Sequence, residues 1–382
     1  MNVDISIIIV NFNTCSLLRR CIHSILRQAG CGTVEIIVVD NRSSDDSVAM
    51  LTTEFPSVHL IRNLDNAGFS RANNQGLAVA WGTYVFFLNP DTELLPGCLS
   101  ALVDHMLHNP STGAAGPRTF IDHTLDLEVC TLKNLSLIRA VILFTRLPFF
   151  SRHRTLESIW NLDLALWQST TDVPVEGIGG AGFFMRRDLA HALGGMDERF
   201  FMGYEDTDLS TRIRSRHLDV AIVSQAHMIH WFGQAKKLDS APPRKIYDWH
   251  TAPLAFLRKH SGSTVARIFR TLKLLDFLIP LPVTGASFDP ILPNTSSGQY
   301  EFSWNPIPQA RYLVEISNTP DFYDKFGLVT REPHARVPLD VFRRLATPEW
   351  FIRVVELDRP IWSAPLLRAE LRLPPNNVPE SP

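Results

Sequence analysis

The fold of this chain is set by one early run, Ile5-Ser6-Ile7-Ile8-Ile9-Val10. A continuous stretch of β-branched side chains, without alternation, is typical of a parallel strand that is buried on both faces. A helical pattern follows the run, and either Asn13 or Thr14 could cap that helix. The chain therefore opens with a strand and a helix, in the manner of an α/β protein.

Strand and helix patterns keep alternating as far as residue 88. The further strands are predicted at residues 34–39, 58–61 and 84–88, and the further helices at residues 44–53 and 70–81. This βαβαβαβ order predicts an α/β fold with a mostly parallel sheet and helices on both faces.

Length and composition narrow the class of protein. The chain has 382 residues, of which 45% are hydrophobic and 20% charged, which suits one large globular domain and a small one. A net charge of −2 gives no basic field for nucleic acid. The five cysteines are odd in number and scattered, and the start of the chain shows no signal-peptide pattern. No apolar run reaches the roughly 18 residues that span a bilayer. We therefore expect reduced thiols and a cytoplasmic location.

Polar clusters follow the carboxyl ends of the predicted strands. They are Asn11-Phe12-Asn13, residues 40–44, residues 62–69 and Asn89-Pro90-Asp91. Open α/β sheets bind ligands in the crevice at those ends, although ordinary loop chemistry is the competing explanation. The chain has neither Gly-x-Gly-x-x-Gly after the first strand nor a Walker lysine, which argues against dinucleotide oxidoreductases and P-loop enzymes.

A second acidic cluster, Tyr204-Glu205-Asp206-Thr207-Asp208, lies more than a hundred residues beyond Asn89-Pro90-Asp91-Thr92-Glu93. Each alone could be a turn or the start of a helix. Together they suggest an active site with a metal ion and a general base. We expect Asp208 to serve the helix or to pair with Arg212.

Seven segments in order resemble the family 2 glycosyltransferases, and most closely the rhamnosyltransferase-like branch. They are residues 10–13, 38–45, 66–76, 88–92, 179–187 and 200–206, and His230 with Gly233. The resemblance covers about residues 4 to 260. It implies a GT-A nucleotide-diphospho-sugar transferase fold and the inverting transfer of a sugar, with rhamnose as the first candidate, from a dTDP- or UDP-sugar.

The resemblance also implies roles for individual residues. Asp206 matches the catalytic base, with Glu205 as the alternative. Asp91 and His230, with His227 as a competitor to His230, match the ligands of Mg²⁺ or Mn²⁺. The donor-binding positions are Asn11, Asn13, Asp40, Asn41, Asn66, Gly68, Arg71, Asn74 and Asn89. The acceptor-binding positions are Gly180, Ala181 and Gly182, for which a tight bend is the other explanation. The family's usual Asp-x-Asp is here Asn89-Pro90-Asp91, so one carboxylate is replaced by an amide.

The region after the predicted catalytic domain changes character. Residues 280–297 are rich in Pro, Ser and Asn and indicate a linker. Short alternating strands at residues 300–304, 311–316 and 350–355 resemble a fibronectin type III sandwich, an all-β domain. We predict a GT-A domain at 1–260, a helical extension and linker at 261–283, the sandwich at 284–373 and a disordered tail at 374–382. No catalytic constellation is visible in the sandwich, which suggests a binding or spacer module.

The apolar stretch 135–150 carries Arg139 and Arg146 and could lie on a membrane beside a lipid-linked acceptor, or form a lid or core helix. The sequence thus predicts a metal-dependent hexosyltransferase that acts on a cell-surface polysaccharide or a lipid-linked saccharide. It would be cytoplasmic, with a peripheral contact at the inner face of the membrane as an open alternative. The competing hypothesis is a catalytically silent protein that binds a sugar nucleotide or a glycan.

Overall fold

The computed structural model describes residues 4–130, 161–231, 251–278, 289–290, 299–317, 325–338, 341, 349–357 and 366–372. The apolar stretch 135–150, the tail 374–382 and, apart from residues 289–290, the predicted linker 280–297 lie outside the described residues. Within the described residues, no helix has both the length and the apolarity that a membrane crossing requires.

Strands and helices alternate through the first part of the chain. The strands are β1 Ile5–Asn11, β2 Val34–Asp40, β3 His59–Arg62, β4 Tyr84–Leu88, β5 Thr92–Leu94, β6 Thr112–Phe120, β7 Glu128–Val129, β8 Val173–Pro174, β9 Gly182–Arg186 and β10 Asp219–His230. The helices are α1 Cys15–Leu26, α2 Ser47–Glu54, α3 Phe69–Val79, α4 Cys98–His108, α5 at 161–168, α6 Arg187–Ala192, α7 Glu205–Arg214, α8 Ala252–His260 and α9 Ser263–Leu278. The later strands are β11 Asp289–Pro290, β12 Gln299–Ser303, β13 Tyr312–Ser317, β14 Lys325–Thr330, β15 His334–Pro338, β16 Glu349–Glu356 and β17 Leu367–Arg372.

The first four strands lie side by side in the order β3-β2-β1-β4 and are all parallel. Alternate residues of β1 enter two different cores: Ile7 packs with α1 on one face, and Ile8 packs with α3 on the other. The prediction of a strand buried on both faces is confirmed. The register pairs Asn11 with Asp40, so the polar carboxyl ends of β1 and β2 are level.

Beyond β4 the sheet is mixed, and the prediction of a mostly parallel sheet is wrong for this part. Strand β9 runs antiparallel to β4 and to β6, while β10 runs parallel to β6. The prediction rested on the βαβ order of the first four strands, and β9 enters the sheet after a long excursion that gives no such order. The pairing of Leu88 with Gly182 brings the glycine-rich segment beside the end of β4.

Two local predictions at the first turns need correction. Helix α2 begins at Ser47 instead of Ser44, because the Ser44 amide donates to Asn13 Oδ1 (2.5 Å) and holds this residue in the loop. Thr14 precedes α1, but its hydroxyl donates to Asn11 Oδ1 (2.6 Å) and does not cap the helix. The Cys15 amide donates instead to Asp45 Oδ2 at 2.9 Å.

Strands β11–β17 form the region that we call the C-terminal β unit. The predicted strands at 300–304, 311–316 and 350–355 are confirmed within a residue or so. Strand β14 pairs with β7, so that one continuous sheet runs from the first domain into this unit, while β12 and β15 form a separate pair. The resemblance to a fibronectin type III sandwich and the domain boundaries remain predictions.

The last two helices of the first region pack against the segment that precedes α7. Phe256 and Leu257 of α8 and Phe269 of α9 form a small core with Phe200, and Tyr204 packs against it. These helices therefore pack against the residues that directly precede Glu205 and Asp206.

Candidate functional site

The carboxyl ends of β1 and β2 are joined by a buried polar network. Asn11 Nδ2 donates to Asp40 Oδ1 (2.8 Å) and to Ser43 Oγ (2.9 Å). The Ser43 amide donates to Asp40 Oδ2 (2.9 Å), and its hydroxyl donates to Asp40 Oδ1 (2.6 Å). Three donors therefore fix the Asp40 carboxylate, and Oδ2, which accepts only one of these bonds, keeps capacity for a further donor.

Asn13 shapes the same loop with its backbone as well as its side chain. Its φ is 54°, a left-handed conformation that Asn tolerates better than most residues. Its side-chain oxygen accepts from the amides of Ser44 and Asp45. Asn13 therefore holds the wall of the crevice, and its oxygen is already engaged.

The predicted donor-binding loop continues this wall. Asn41 Nδ2 donates to the Gly68 carbonyl (3.3 Å), and the Gly68 amide donates to Asn66 Oδ1 (3.0 Å). Gly68 has φ of 85°, and a Cβ there would lie 2.6 Å from the Phe201 ring, so only glycine fits. Because the Phe69 amide donates to the Phe201 carbonyl (2.7 Å), this loop is tied to the segment before Asp206.

Two of the residues predicted to bind the donor sugar nucleotide, Asn74 and Arg71, differ in their contacts. Asn74 is fully engaged: it donates to the Met196 carbonyl (2.9 Å) and to Glu198 Oε1 (3.0 Å), and it accepts from the Met196 amide (2.8 Å). Arg71, in the first turn of α3, is exposed. Asn74 thus fastens α3 to the 196–198 loop, whereas Arg71 has its guanidinium in solvent.

The turn after β4 meets the end of β10. His230 Nε2 lies 3.1 Å from Asp91 Oδ1, and Asn89 Nδ2 lies 3.5 Å from the same imidazole nitrogen. The pairing of His230 with Thr92 and the bond from the Trp231 amide to the Asp91 carbonyl (2.8 Å) fix the two segments together. Sequence positions 139 residues apart are thus brought into contact.

His227, the competitor of His230, points elsewhere. Its Nε2 lies 2.9 Å from the Ser224 carbonyl, and its ring packs edge-on against Phe120. Burial lowers the pKa of His227 below the usual value for histidine. These contacts indicate a structural histidine.

The glycine-rich segment connects the two acidic clusters. The Asn89 amide donates to the Ala181 carbonyl (3.0 Å), and the Gly180 amide donates to Asp206 Oδ2 (2.8 Å). Gly182 begins β9, and a Cβ there would lie 2.8 Å from the end of Met228, so its small size serves the packing. The segment is therefore a bend, and it also brings Asp206 next to the turn that carries Asp91.

Glu205 and Asp206 begin α7 in different surroundings. Asp206 is half-buried, and besides Gly180 it accepts from the Thr207 amide (2.6 Å). Glu205 is 5% exposed, and its Oε2 has no hydrogen-bond partner among the described residues. Burial and the charge of Asp206 raise the pKa of Glu205 to about 8, and burial also raises the pKa of Asp206.

Asp208 belongs to the support of this helix. Arg212 Nε donates to it at 2.7 Å, which confirms the predicted i,i+4 pair, and Lys259 and His260 of α8 also contact it. Burial alone would raise the pKa of Asp208, but the hydrogen bonds from His260 and Lys259 and the Arg212 charge outweigh burial and lower it.

One cluster beside the Asp91–His230 pair was not predicted as a unit. Glu93 forms an ion pair with Arg20 and accepts from Trp231 Nε1 at 3.2 Å. His123 Nε2 lies 3.4 Å from Glu93 Oε2. The Arg20 guanidinium lies 4.4 Å from the centre of the Trp231 ring. Only the adjacency of Trp231 to His230 could have signalled this cluster, because Arg20 and His123 come from distant parts of the chain.

We compared the sequence with known protein families and found a match that includes residues of the candidate site. Residues 6–156 match the model of the family described as Glycosyl transferase family 2. This part of the chain is similar to the family 2 glycosyltransferases. The resemblance predicted from the motifs is thereby confirmed for this part of the chain, and the turn with Asn89 and Asp91 lies inside the matched range.

Proteins similar to this chain include a rhamnosyltransferase and an O-antigen biosynthesis protein. The N-acetylglucosaminyl-diphospho-decaprenol L-rhamnosyltransferase of Mycobacterium tuberculosis is 27% identical over 241 residues, which cover 60% of this chain and 76% of that protein. The O-antigen biosynthesis protein RfbC of Myxococcus xanthus is 25% identical over 247 residues, or 62% of this chain and 18% of that protein. Among solved structures, GalNAc-T7 with UDP, GalNAc and Mn²⁺ matches with a TM-score of 0.45 and 17% identity, covering 60% of this chain and 44% of that one.

Proposed function

We propose that this protein is an inverting, metal-dependent glycosyltransferase that moves a sugar, with rhamnose as the first candidate, from a dTDP- or UDP-sugar to a saccharide acceptor. One observation carries the proposal. Hydrogen bonds through Gly180, Ala181 and Asn89 connect the Asp206 carboxylate to the turn that holds Asp91 against His230. A candidate base and a candidate cation site are therefore neighbours in the crevice at the carboxyl end of the sheet.

The residues of the turn suit a hard divalent cation. Among the described residues, no group of three or more His, Cys, Asp and Glu side chains is close enough to hold a metal ion. Asp91 and His230 would supply two ligands, and Asn89 Oδ1 is a buried oxygen that has no hydrogen-bond partner among the described residues. Mg²⁺ that binds with a phosphate-bearing substrate commonly uses one or two protein ligands and takes the rest from phosphate and water. Such a cation would stabilise the charge of the leaving diphosphate.

The Asp40 network suits the base of the nucleotide. A uracil or thymine ring presents one N–H between two carbonyl groups, and Asp40 Oδ2 retains acceptor capacity beside the Asn11 amide. Asn41 donates to the Gly68 carbonyl and so connects this pocket to the loop that would face the sugar-phosphate part of the donor. Arg71 would meet a phosphate from the rim.

Asp206 is the better candidate for the general base. A base must be deprotonated and within reach of the acceptor hydroxyl. Glu205 is buried, and with a pKa of about 8 it is mostly protonated at neutral pH. Asp206 is more exposed, and two backbone amides orient its carboxylate. In the proposed reaction Asp206 takes the proton of the acceptor hydroxyl as that oxygen attacks the anomeric carbon and the nucleoside diphosphate leaves from the opposite face.

The acceptor would be a cell-surface polysaccharide or a lipid-linked saccharide at the inner face of the membrane. The support is the 27% identity to a rhamnosyltransferase whose name specifies a diphospho-decaprenol acceptor. A cytoplasmic location with a peripheral membrane contact would fit such an acceptor, and both remain part of the proposal.

A silent sugar-nucleotide or glycan-binding protein is the second candidate. The observation that favours it is Asn89, an amide at a position where the family usually has a carboxylate. Such a protein would bind the donor or the glycan without turning the donor over.

The deciding experiment is a hydrolysis screen of the full chain against a panel of dTDP- and UDP-sugars with Mg²⁺, Mn²⁺ or a chelator. We expect metal-dependent release of the nucleoside diphosphate from at least one sugar, and loss of the release in Asp206→Asn. Asp104→Asn, on the exposed face of α4, is the matched control. Tight donor binding with no release in any condition would favour the silent protein.

A further inference from the structure

The turn between β6 and β7, residues 121–127, contacts both the C-terminal β unit and the candidate site. Its apolar residues Ile121 and Leu127 are each 2% exposed, and both are buried in the core of the C-terminal β unit with Tyr312 and Trp350. Neither residue contributes to the two cores of the glycosyltransferase sheet. The position of this turn is therefore fixed by the C-terminal β unit.

Main-chain pairing fixes the same turn from the side. Strand β7 lies between β6 and β14: Glu128 pairs with Phe120 on one side and with Gly327 on the other. The Arg118 guanidinium forms an ion pair with the buried Glu128 carboxylate. A Cβ at Gly327 would lie 2.5 Å from the Trp167 ring, so β14 approaches the first domain closely at this point.

The polar tip of the turn reaches the candidate site. His123 Nε2 lies 3.4 Å from Glu93 Oε2, and its ring centre lies 5.5 Å from that of Trp231. Glu93 follows Asp91 by two residues, and Trp231 follows His230 directly and donates its indole N–H to Glu93. His123 therefore contacts the residues that flank both members of the Asp91–His230 pair.

We propose that the C-terminal β unit is a positioning part of the glycosyltransferase, which acts through the 121–127 turn and His123 to hold the end of β10 against the turn that carries Asp91. This differs from a spacer or a separate binding module. The inference rests on the proposed function for its kinetic consequence, and on the described contacts alone for its structural one.

The test compares two cavities in one core. Leu127→Ala and Val337→Ala both truncate buried side chains in the core of the C-terminal β unit, but Val337 lies on β15 and outside the turn. Amide hydrogen exchange of residues 228–231 is measured in the full chain, together with kcat and KM for donor hydrolysis. We expect Leu127→Ala to speed exchange at 228–231 by about threefold or more and to lower kcat/KM by about tenfold. Val337→Ala should leave both quantities within about twofold.

A second pair of variants tests the contact itself. His123 is 58% exposed, so His123→Ala should fold. It should reproduce the effect of Leu127→Ala, and His123→Gln, whose side-chain amide can donate to Glu93, should recover most of the wild-type value. His59→Ala, exposed on β3, is the control.

Three outcomes would overturn the proposal: unchanged exchange at 228–231 in Leu127→Ala, an equal change in Val337→Ala, or a failure of His123→Gln to recover activity lost in His123→Ala. If the wild-type protein hydrolyses no sugar nucleotide, the proposed function fails, and the exchange measurement still decides the positioning role.

Discussion

The two acidic clusters of the candidate site hold their carboxylates in opposite ways. Asp91 faces a side chain, the imidazole of His230, beside an amide oxygen of Asn89 that has no partner among the described residues. Asp206 faces the backbone and accepts from the Gly180 and Thr207 amides, next to a buried Glu205 with a raised pKa. Under the proposed function, the Asp91 cluster, which we call the cation side, would offer lone pairs to a cation, and the Asp206 cluster, which we call the proton side, would hold a proton. The difference suggests a division of labour within one crevice.

The largest expected effect tests the proton side. Asp206→Asn removes the proposed base but keeps the size of the side chain and an oxygen that can accept from Gly180. Turnover should fall by about a hundredfold or more, with the affinity for dTDP unchanged. Initial rates and calorimetry measure the two quantities, and Asp104→Asn is the control. An active Asp206→Asn together with an inactive Glu205→Gln would move the base by one residue.

The next effect tests the cation side. Asp91→Ala should weaken the binding of dTDP by about ten- to a hundredfold in the presence of Mn²⁺, and only slightly in its absence, because the carboxylate acts on the diphosphate through the metal. Titration calorimetry with and without Mn²⁺ measures the difference. His230→Ala should behave in the same way. A metal effect that survives both substitutions would contradict the assignment of this pair.

Much of this division could be predicted from the sequence, for identifiable reasons. Parallel strands that are buried on both faces need continuous apolar runs. The run at Ile5–Val10 and the later runs therefore show where each strand ends and where the polar residues at its carboxyl end begin. Asp40 ends β2 and Asp91 lies in the turn after β4, so their place at the carboxyl end of the sheet follows from the topology. The i,i+4 pair of Asp208 and Arg212 is local and was equally accessible.

The rest depends on contacts between distant segments that leave no periodic signal. The helical pattern places Asn74 on α3. It gives no sign that the Asn74 side chain will form hydrogen bonds with residues 196–198. His123 lies in a short turn whose position is set by apolar residues of strands about two hundred residues later. The antiparallel pairing of β9 with β4 and β6 likewise depends on tertiary contacts. Sequence reasoning therefore located candidate residues at strand ends and missed the contacts that position them.

A smaller effect concerns the pH dependence of stability on the proton side. The pKa of Glu205 is raised to about 8 in the folded protein from an ordinary value of 4.5, so the folded state binds this proton more tightly than the unfolded state. The corresponding stabilisation is complete below pH 4.5 and is lost as the pH rises through about 8. Glu205→Gln removes this loss. The free energy of unfolding of the variant relative to wild type should rise by about 2 to 4 kcal/mol from pH 5 to pH 8.5.

Urea titrations at several pH values test this prediction, with Glu198→Gln as the control because Glu198 is exposed. An equal pH dependence in Glu205→Gln and wild type would mean that Glu205 is ionised in the folded protein, and it would then compete with Asp206 for the role of base.

The smallest effect asks whether the proton side also carries a cation for the diphosphate. Arg71 is exposed in the first turn of α3, two residues after Phe69, whose ring lies near Gly180 and Asp206. Because no contact of its guanidinium within the described residues would be lost, Arg71→Ala should leave the melting temperature unchanged. If Arg71 meets a phosphate, KM for the donor should rise about two- to fivefold, and less at high salt, because an exposed charge is strongly screened. Arg27→Ala, exposed at the end of α1, is the control. An unchanged KM would leave charge compensation to the Asp91 side alone and would make the division between the two clusters complete.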